Sequence, residues 1–123
     1  MNCDVFIPVR LSNTRLSQKA MKLVDEKPII LYLIERLLSA KKIRNIVVCT
    51  TNMKSNDPLV KLLEKLNIAV FRGSEKDILI RYLDAARKFK TDFIVSVDGD
   101  DIYTDPTYVD EIVSIYEKTS CDY

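Results

Sequence analysis

Histidine is absent from the 123 residues. That removes histidine metal ligands, histidine general bases and Ser-His-Asp triads together. Glycine is nearly absent, with only Gly73 and Gly99 present. Two glycines cannot supply a GxGxxG fingerprint or a Walker A loop, and neither motif occurs. Cysteine is sparse and scattered at Cys3, Cys49 and Cys121. An odd number with no CxxC argues against a disulfide framework or a zinc site. Cys3 and Cys49 fall in apolar runs and read as small buried hydrophobes of a reducing, cytoplasmic protein. No long apolar run exists. The longest, Ile29 to Ile34, is far short of the roughly 20 residues that span a bilayer. The opening Met-Asn-Cys-Asp lacks a basic and an apolar region, so no signal peptide and no membrane association are expected. An excess of one charge is missing too. Nineteen Lys and Arg face eighteen Asp and Glu, for a net charge of +1, which argues against a fold built to coat nucleic acid.

What remains is ordinary for one globular domain over residues 1–123. Four runs rich in Val, Ile and Phe read as strands: Val5 to Val9, Ile46 to Thr50, Ala69 to Arg72 and Phe93 to Val97. Their nearly continuous apolar character suits a parallel sheet buried on both faces. Four helical patterns alternate with them. Pro28 opens one that runs to about Ala40, with Ile30, Leu33, Ile34 and Leu37 inward. Asp57-Pro58 reads as an N-cap and N1 pair before a Leu59, Leu62, Leu63 and Leu66 stripe. Ser74 reads as the cap of a helix to Phe89 that buries Ile78, Leu79, Tyr82, Leu83 and Ala86. Asp105-Pro106 starts the last, with Val109, Ile112, Val113 and Tyr116 inward. The alternation predicts an α/β, Rossmann-like parallel sheet of about four strands in order 3-2-1-4, with helices on both faces. The order reverses between strands 1 and 4, and such sheets bind ligands outside the carboxyl ends at that point.

Two segments leave the sheet there. After strand 1, the loop from Arg10 to Lys19 carries Arg10, Arg15 and Lys19 at spacings of five and four, with Ser12, Asn13, Thr14 and Ser17 as short polar donors. Alone, it could be a solvated basic loop. At the switch point it fits a polyphosphate site, with side-chain charge replacing a glycine cradle. After strand 4 comes Asp98-Gly99-Asp100-Asp101. Three carboxylates so close repel one another unless a cation offsets them, and Mg²⁺ is the usual hard cation beside phosphates. Smaller signals are Thr50-Thr51-Asn52, either a base or ribose contact or a plain polar loop, and Asp77 with Arg81, most simply an i,i+4 ion pair.

These residues resemble a known family. Pro8-Val9-Arg10-Leu11-Ser12-Asn13-Thr14-Arg15-Leu16-Ser17-Gln18-Lys19 follows the P-A-R-x-G-S-x-R-L-P-G-K pattern of the sugar cytidylyltransferases that make CMP-acylneuraminate and CMP-KDO. The likeness is greatest to the spore-coat polysaccharide subgroup. It extends through Lys27-Pro28, Phe71-Arg72-Gly73-Ser74, Gly99-Asp100 and Asp105-Pro106. The resemblance implies the nucleotide-diphospho-sugar transferase type of sheet and transfer of CMP from CTP to a sugar or sugar-acid hydroxyl, releasing pyrophosphate. It implies Arg15, Lys19 and Asp100 as catalytic, and Arg10, Ser12, Asn13, Arg15, Lys19 and Asp98 as nucleotide-binding. Asp100 would hold Mg²⁺. Ser12 stands where the family has glycine, and Ser17-Gln18 where it has Pro-Gly. Family members are longer, so the chain reads as their nucleotide-binding part, with strand 4 as an edge covered by a partner or a second copy. The alternatives are a nucleotide- or partner-binding module without turnover, and transfer from UTP or GTP.

Overall fold

A computed structural model describes residues 2–9, 21–74, 76–98 and 105–119. The elements in order are β1 (Cys3–Pro8), β2 (Leu23–Val24), β3 (Lys27–Pro28), α1 (Ile29–Leu37), β4 (Asn45–Thr51), α2 (Asp57–Lys65), β5 (Ala69–Gly73), α3 (Ile78–Phe89), β6 (Phe93–Ser96) and α4 (Pro106–Thr119). The main sheet has the order β5-β4-β1-β6. All its neighbours are parallel, with Val5 opposite Ile46 and Val95, and Val48 opposite Val70. This is the expected 3-2-1-4 order, with β6 at one edge.

Side chains alternate along each strand and divide the core in two. Val5, Ile7, Val48, Val95 and Val97 meet Leu33 and Leu37 of α1, Leu59 and Leu63 of α2, and Val109 and Val113 of α4. Phe6, Val47 and Cys49 meet Ala85 of α3, with Phe71, Tyr82 and Phe89 packed around them. The helix that crosses back from β5 to β6 therefore covers one face, and the other three cover the opposite face. A same-handed crossover in the reverse direction lands on the other side of the sheet.

The helices depart from the expected boundaries where tertiary contacts take over. Pro28 belongs to β3 and stands before α1, which ends at Leu37 rather than Ala40. All four residues expected to face inward from α1 are buried. Asp57 is the first residue of α2 rather than its cap, and its carboxylate pairs with Arg72 at 2.9 Å. Asp77, not Ser74, caps α3, accepting from the amides of Leu79 and Ile80. Ser74 Oγ instead accepts from the Asp77 amide at 3.2 Å. Asp105 does hold the first turn of α4, through the Thr107 amide at 2.8 Å. The inward face of α3 is also different. Ile78, Leu79 and Leu83 are 45%, 76% and 51% exposed, while Arg81 and Ala85 are buried.

The antiparallel β2–β3 hairpin had no strand signal, because its two-residue strands are not buried and Leu23 and Val24 are exposed. Its two turn residues, Asp25 and Glu26, both have positive φ, 52° and 67°. That is the type I′ pattern, which glycine fills at least cost. Tyr32 of α1 donates to Val24 O at 2.7 Å, and Lys27 pairs with Glu35. Glu26→Gly is expected to raise stability by about 0.5–1 kcal/mol, a gain of a few degrees in a thermal melt. A lower midpoint would count against this turn.

Candidate active site at the carboxyl edge of the sheet

Strands β1 and β6 lie side by side and leave the sheet at the same edge. Phe6 is opposite Ser96, and the Val97 amide donates to Phe6 O at 3.1 Å. The Val9 amide donates to Cys49 O at 3.0 Å, closing β1 against β4. The chain thus enters the basic segment from Val9 and the acidic segment from Val97, on neighbouring strands at the topological switch point. Asp98 is exposed there. Arg10, Ser12, Asn13, Arg15, Lys19 and Asp100 lie outside the described residues.

The remaining loops of this edge are held by cations. Arg72, on β5, donates through Nε to Thr51 O at 2.8 Å and through Nη2 to Met53 O at 2.9 Å. Its bond to Asp57 adds the first residue of α2. One guanidinium therefore fixes the path from β4 into α2, using the planar fork that lysine lacks. Arg81 is 4% exposed and donates to Ser74 O at 2.9 Å, with Cys49 O at 3.5 Å. Asp77, expected to pair with it, is turned to its own helix amides instead. A side chain and a backbone amide compete for that carboxylate, and the cap is closer.

Thr51 is buried, and its hydroxyl accepts from Asn56 Nδ2 at 2.6 Å and the Met53 amide at 3.3 Å. Thr50 is buried as well, and its hydroxyl has no hydrogen-bond partner among the described residues. Of the Thr50-Thr51-Asn52 trio, only Asn52 is presented to solvent. It lines an open cavity of about 600 Å³ with Met53, Gly73 and Ser74. Among the described residues, no three His, Cys, Asp or Glu side chains gather as a metal site.

Beneath the edge, Cys49 is a free, fully buried thiol whose burial pushes its pKa up to about 12, against the opposing pull of Arg81. Burial also raises Tyr82, opposed by its 2.7 Å hydrogen bond with Ser96 Oγ. Cys49 should therefore resist alkylation in the folded chain at pH 8 and label only on unfolding, read by mass spectrometry of the peptides. Fast native labelling would contradict this burial. An unfolded thiol ionises near 9.0 and the folded one near 12. Its contribution to stability is thus full below pH 9 and is lost as pH rises toward 12.

With this geometry in place, similarity to known proteins can be weighed. The sequence profile of the cytidylyltransferases matches residues 5–123. The chain belongs to the cytidylyltransferase family. It is 36% identical over 117 residues to an uncharacterized protein of Methanocaldococcus jannaschii, covering 95% of this chain and 48% of that protein. It is 27% identical over 128 residues to the spore coat polysaccharide biosynthesis protein SpsF of Bacillus subtilis, covering 100% of this chain and 53% of that one. It is also 27% identical over 116 residues to the 3-deoxy-manno-octulosonate cytidylyltransferase of Geotalea daltonii, covering 93% and 44%. The solved cytidylyltransferase of Leptospira borgpetersenii superposes with a TM-score of 0.89 at 33% identity, covering 97% of this chain and 50% of that one. The chain thus spans about half the length of these relatives. The expected family and fold both hold. Among the described residues, no helix is long and apolar enough to cross a membrane.

Sequence alone does not mark Arg72 and Arg81 as residues of this edge. Their spacing showed only a cation on a strand and an i,i+4 pair. The carbonyls they hold are 19 to 32 residues away or on the far side of a turn, so no local pattern announces them.

Proposed function

We propose that this chain is the CTP-binding part of a cytidylyltransferase that transfers CMP to the hydroxyl of a sugar or sugar acid for polysaccharide biosynthesis. The observation that carries the reading is topological. The Arg10–Lys19 segment follows β1 and the Asp98–Asp101 segment follows β6, and these are the two strands that flank the switch point. In this reading, cations that suit phosphates follow one of these strands and carboxylates that suit a divalent ion follow the other. In this reading Arg10, Arg15 and Lys19 hold the triphosphate, aided by Ser12 and Asn13, and Asp98 stands toward the base. The acceptor oxygen attacks the α-phosphorus, the bond to the bridging oxygen of pyrophosphate breaks, and the hydroxyl proton passes to solvent. Arg15 and Lys19 offset the charge that develops on the leaving group, where most of the catalytic effect of such transfers arises.

The carboxylates after β6 are hard oxygen donors of the kind Mg²⁺ takes, and Asp98 is exposed to reach one. Asp100 would hold the ion, which supplies charge neutralisation at the phosphates when bound. The chain spans about half the length of its relatives, which favours one second reading, a nucleotide-binding module that does not turn over by itself. Calorimetric titration with CTP, UTP, GTP and ATP in Mg²⁺, followed by a pyrophosphate-release assay with a sugar acid, tests both. Saturable CTP binding supports the nucleotide site, and release of pyrophosphate separates enzyme from module. A folded chain that binds none of the four would overturn both.

A further inference from the structure

The carboxyl edge is made of loops, and loops share no ladder that sets their spacing. Arg81 supplies a substitute. Its Nη1 reaches Cys49 O, the carbonyl that also accepts the Val9 amide. Val9 is the last described residue before Arg10, so this shared carbonyl is the root of the basic segment. Through Nε the same guanidinium holds Ser74 O, at the start of the turn between β5 and α3. Gly73 makes room for it. A Cβ at Gly73 would stand 3.2 Å from Arg81 Cγ and 2.7 Å from Phe71 Cε2. The φ of Gly73 is not positive, so glycine is needed here for space and not for backbone conformation. The next residue, Tyr82, bonds Ser96 on β6, two positions before Asp98. Two consecutive side chains of α3 therefore reach β4, β6 and the turn after β5.

A cation buried to this degree is costly unless it is fully used. The β4–α2 path is already secured by Arg72 and by the Thr51 hydroxyl. The same helix leaves Ile78, Leu79 and Leu83 exposed.

We infer that Arg81 is a positioning residue for the nucleotide. It ties Cys49 O, and with it Val9 at the end of β1, to the turn at Ser74, so that this part of the carboxyl edge is set before the nucleotide arrives. The inference rests on the CTP reading above. Loss of prearrangement weakens binding without removing any group that touches the ligand.

The test compares the full chain with Arg81→Met, Arg81→Lys and Thr91→Val. The last removes a hydrogen bond to Asp4 at the amino edge, far from the site, and serves as a stability control. CTP affinity in Mg²⁺, melting temperature and amide hydrogen exchange at Val9 and Asp77 are measured on each. Arg81→Met should raise the CTP Kd about tenfold or more, equivalent to at least ~1.4 kcal/mol, and speed exchange at both amides. Arg81→Lys, which keeps the charge but not the fork, should restore only part of the affinity. Thr91→Val should lower the melting temperature and leave the CTP Kd within about twofold.

Unchanged CTP affinity in Arg81→Met overturns the inference. So does an equal loss in Thr91→Val, because general destabilisation would then explain both. If Arg81→Met does not fold, Gly73→Ala crowds Arg81 Cγ while keeping its charge. It should weaken CTP binding in the same way, and wild-type affinity there overturns the inference. A wild-type chain that binds no CTP defeats the CTP reading and this role with it, whereas a binding wild type with indifferent Arg81 variants defeats this role alone.

Discussion

Asp4→Ala is expected to lower the unfolding free energy by about 3 kcal/mol, because it deprives several donors of the buried carboxylate they share. Asp4 is fully buried on β1. Its carboxylate accepts from Arg44 Nη2 at 2.9 Å and Nε at 3.3 Å, from the Asn45 amide at 2.9 Å, and from the Thr91 hydroxyl. One carboxylate thus ties β1 to the entry of β4 and to the connection from α3 to β6. The hydrogen bonds that Arg44 donates to Asp4 raise the pKa of Arg44. Alanine leaves the Asn45 amide and the Thr91 hydroxyl without their partner, and each part-buried donor left unpaired is costly. The contrast is Lys42 with Glu117, half exposed at 3.4 Å, where Lys42→Ala should change stability by no more than about 0.5 kcal/mol. Urea unfolding measures both. The midpoint should fall for Asp4→Ala with the slope unchanged. A loss under about 1 kcal/mol would mean that the carboxylate is not the closure described here.

The second large effect is expected on binding. Arg15→Ala should weaken CTP by about 100-fold, or ~2.7 kcal/mol, because a guanidinium on phosphate makes paired, charge-assisted hydrogen bonds. Arg15→Lys should recover only part of this, since an ammonium cannot present the planar fork. Asp100→Ala should instead remove the dependence of CTP affinity on Mg²⁺ and leave metal-free binding nearly unchanged. Calorimetry at several Mg²⁺ concentrations distinguishes the two variants. An Arg15→Ala chain with wild-type CTP affinity would place the triphosphate elsewhere.

Most of the architecture was legible because it depends on local pattern. Val5, Val47, Val48 and Val95 lie in runs whose apolar continuity marks a strand buried on both faces, and each is buried in the sheet. Ile30, Leu33, Ile34 and Leu37 recur at helical spacing, and all four enter the core. The β2–β3 hairpin was not legible, since its strands bury nothing and its turn uses Asp25 and Glu26 where glycine would have been the signal. The face of α3 was misread for a related reason. Counting apolar residues favours burial of Leu79 and Leu83, but the buried residues of the helix are Arg81 and Ala85, and the partners of Arg81 are set by the sheet rather than by local pattern.

The same division runs through the site. The spacing of Arg10, Arg15 and Lys19 and the Asp98–Asp101 cluster stand in the sequence, and so does the alternation that sends both segments to one edge. Periodicity suffices there, because burial of an apolar face is a non-directional force that local pattern records. The roles of Asp4, Arg72 and Arg81 were settled only by the tertiary structure. Each is a charged side chain whose partners are carbonyls, amides or ions brought close by the sheet order, up to 87 residues away in the case of Asp4 and Thr91. A hydrogen bond is short and directional, so its existence is decided by where the folded backbone puts the other atom.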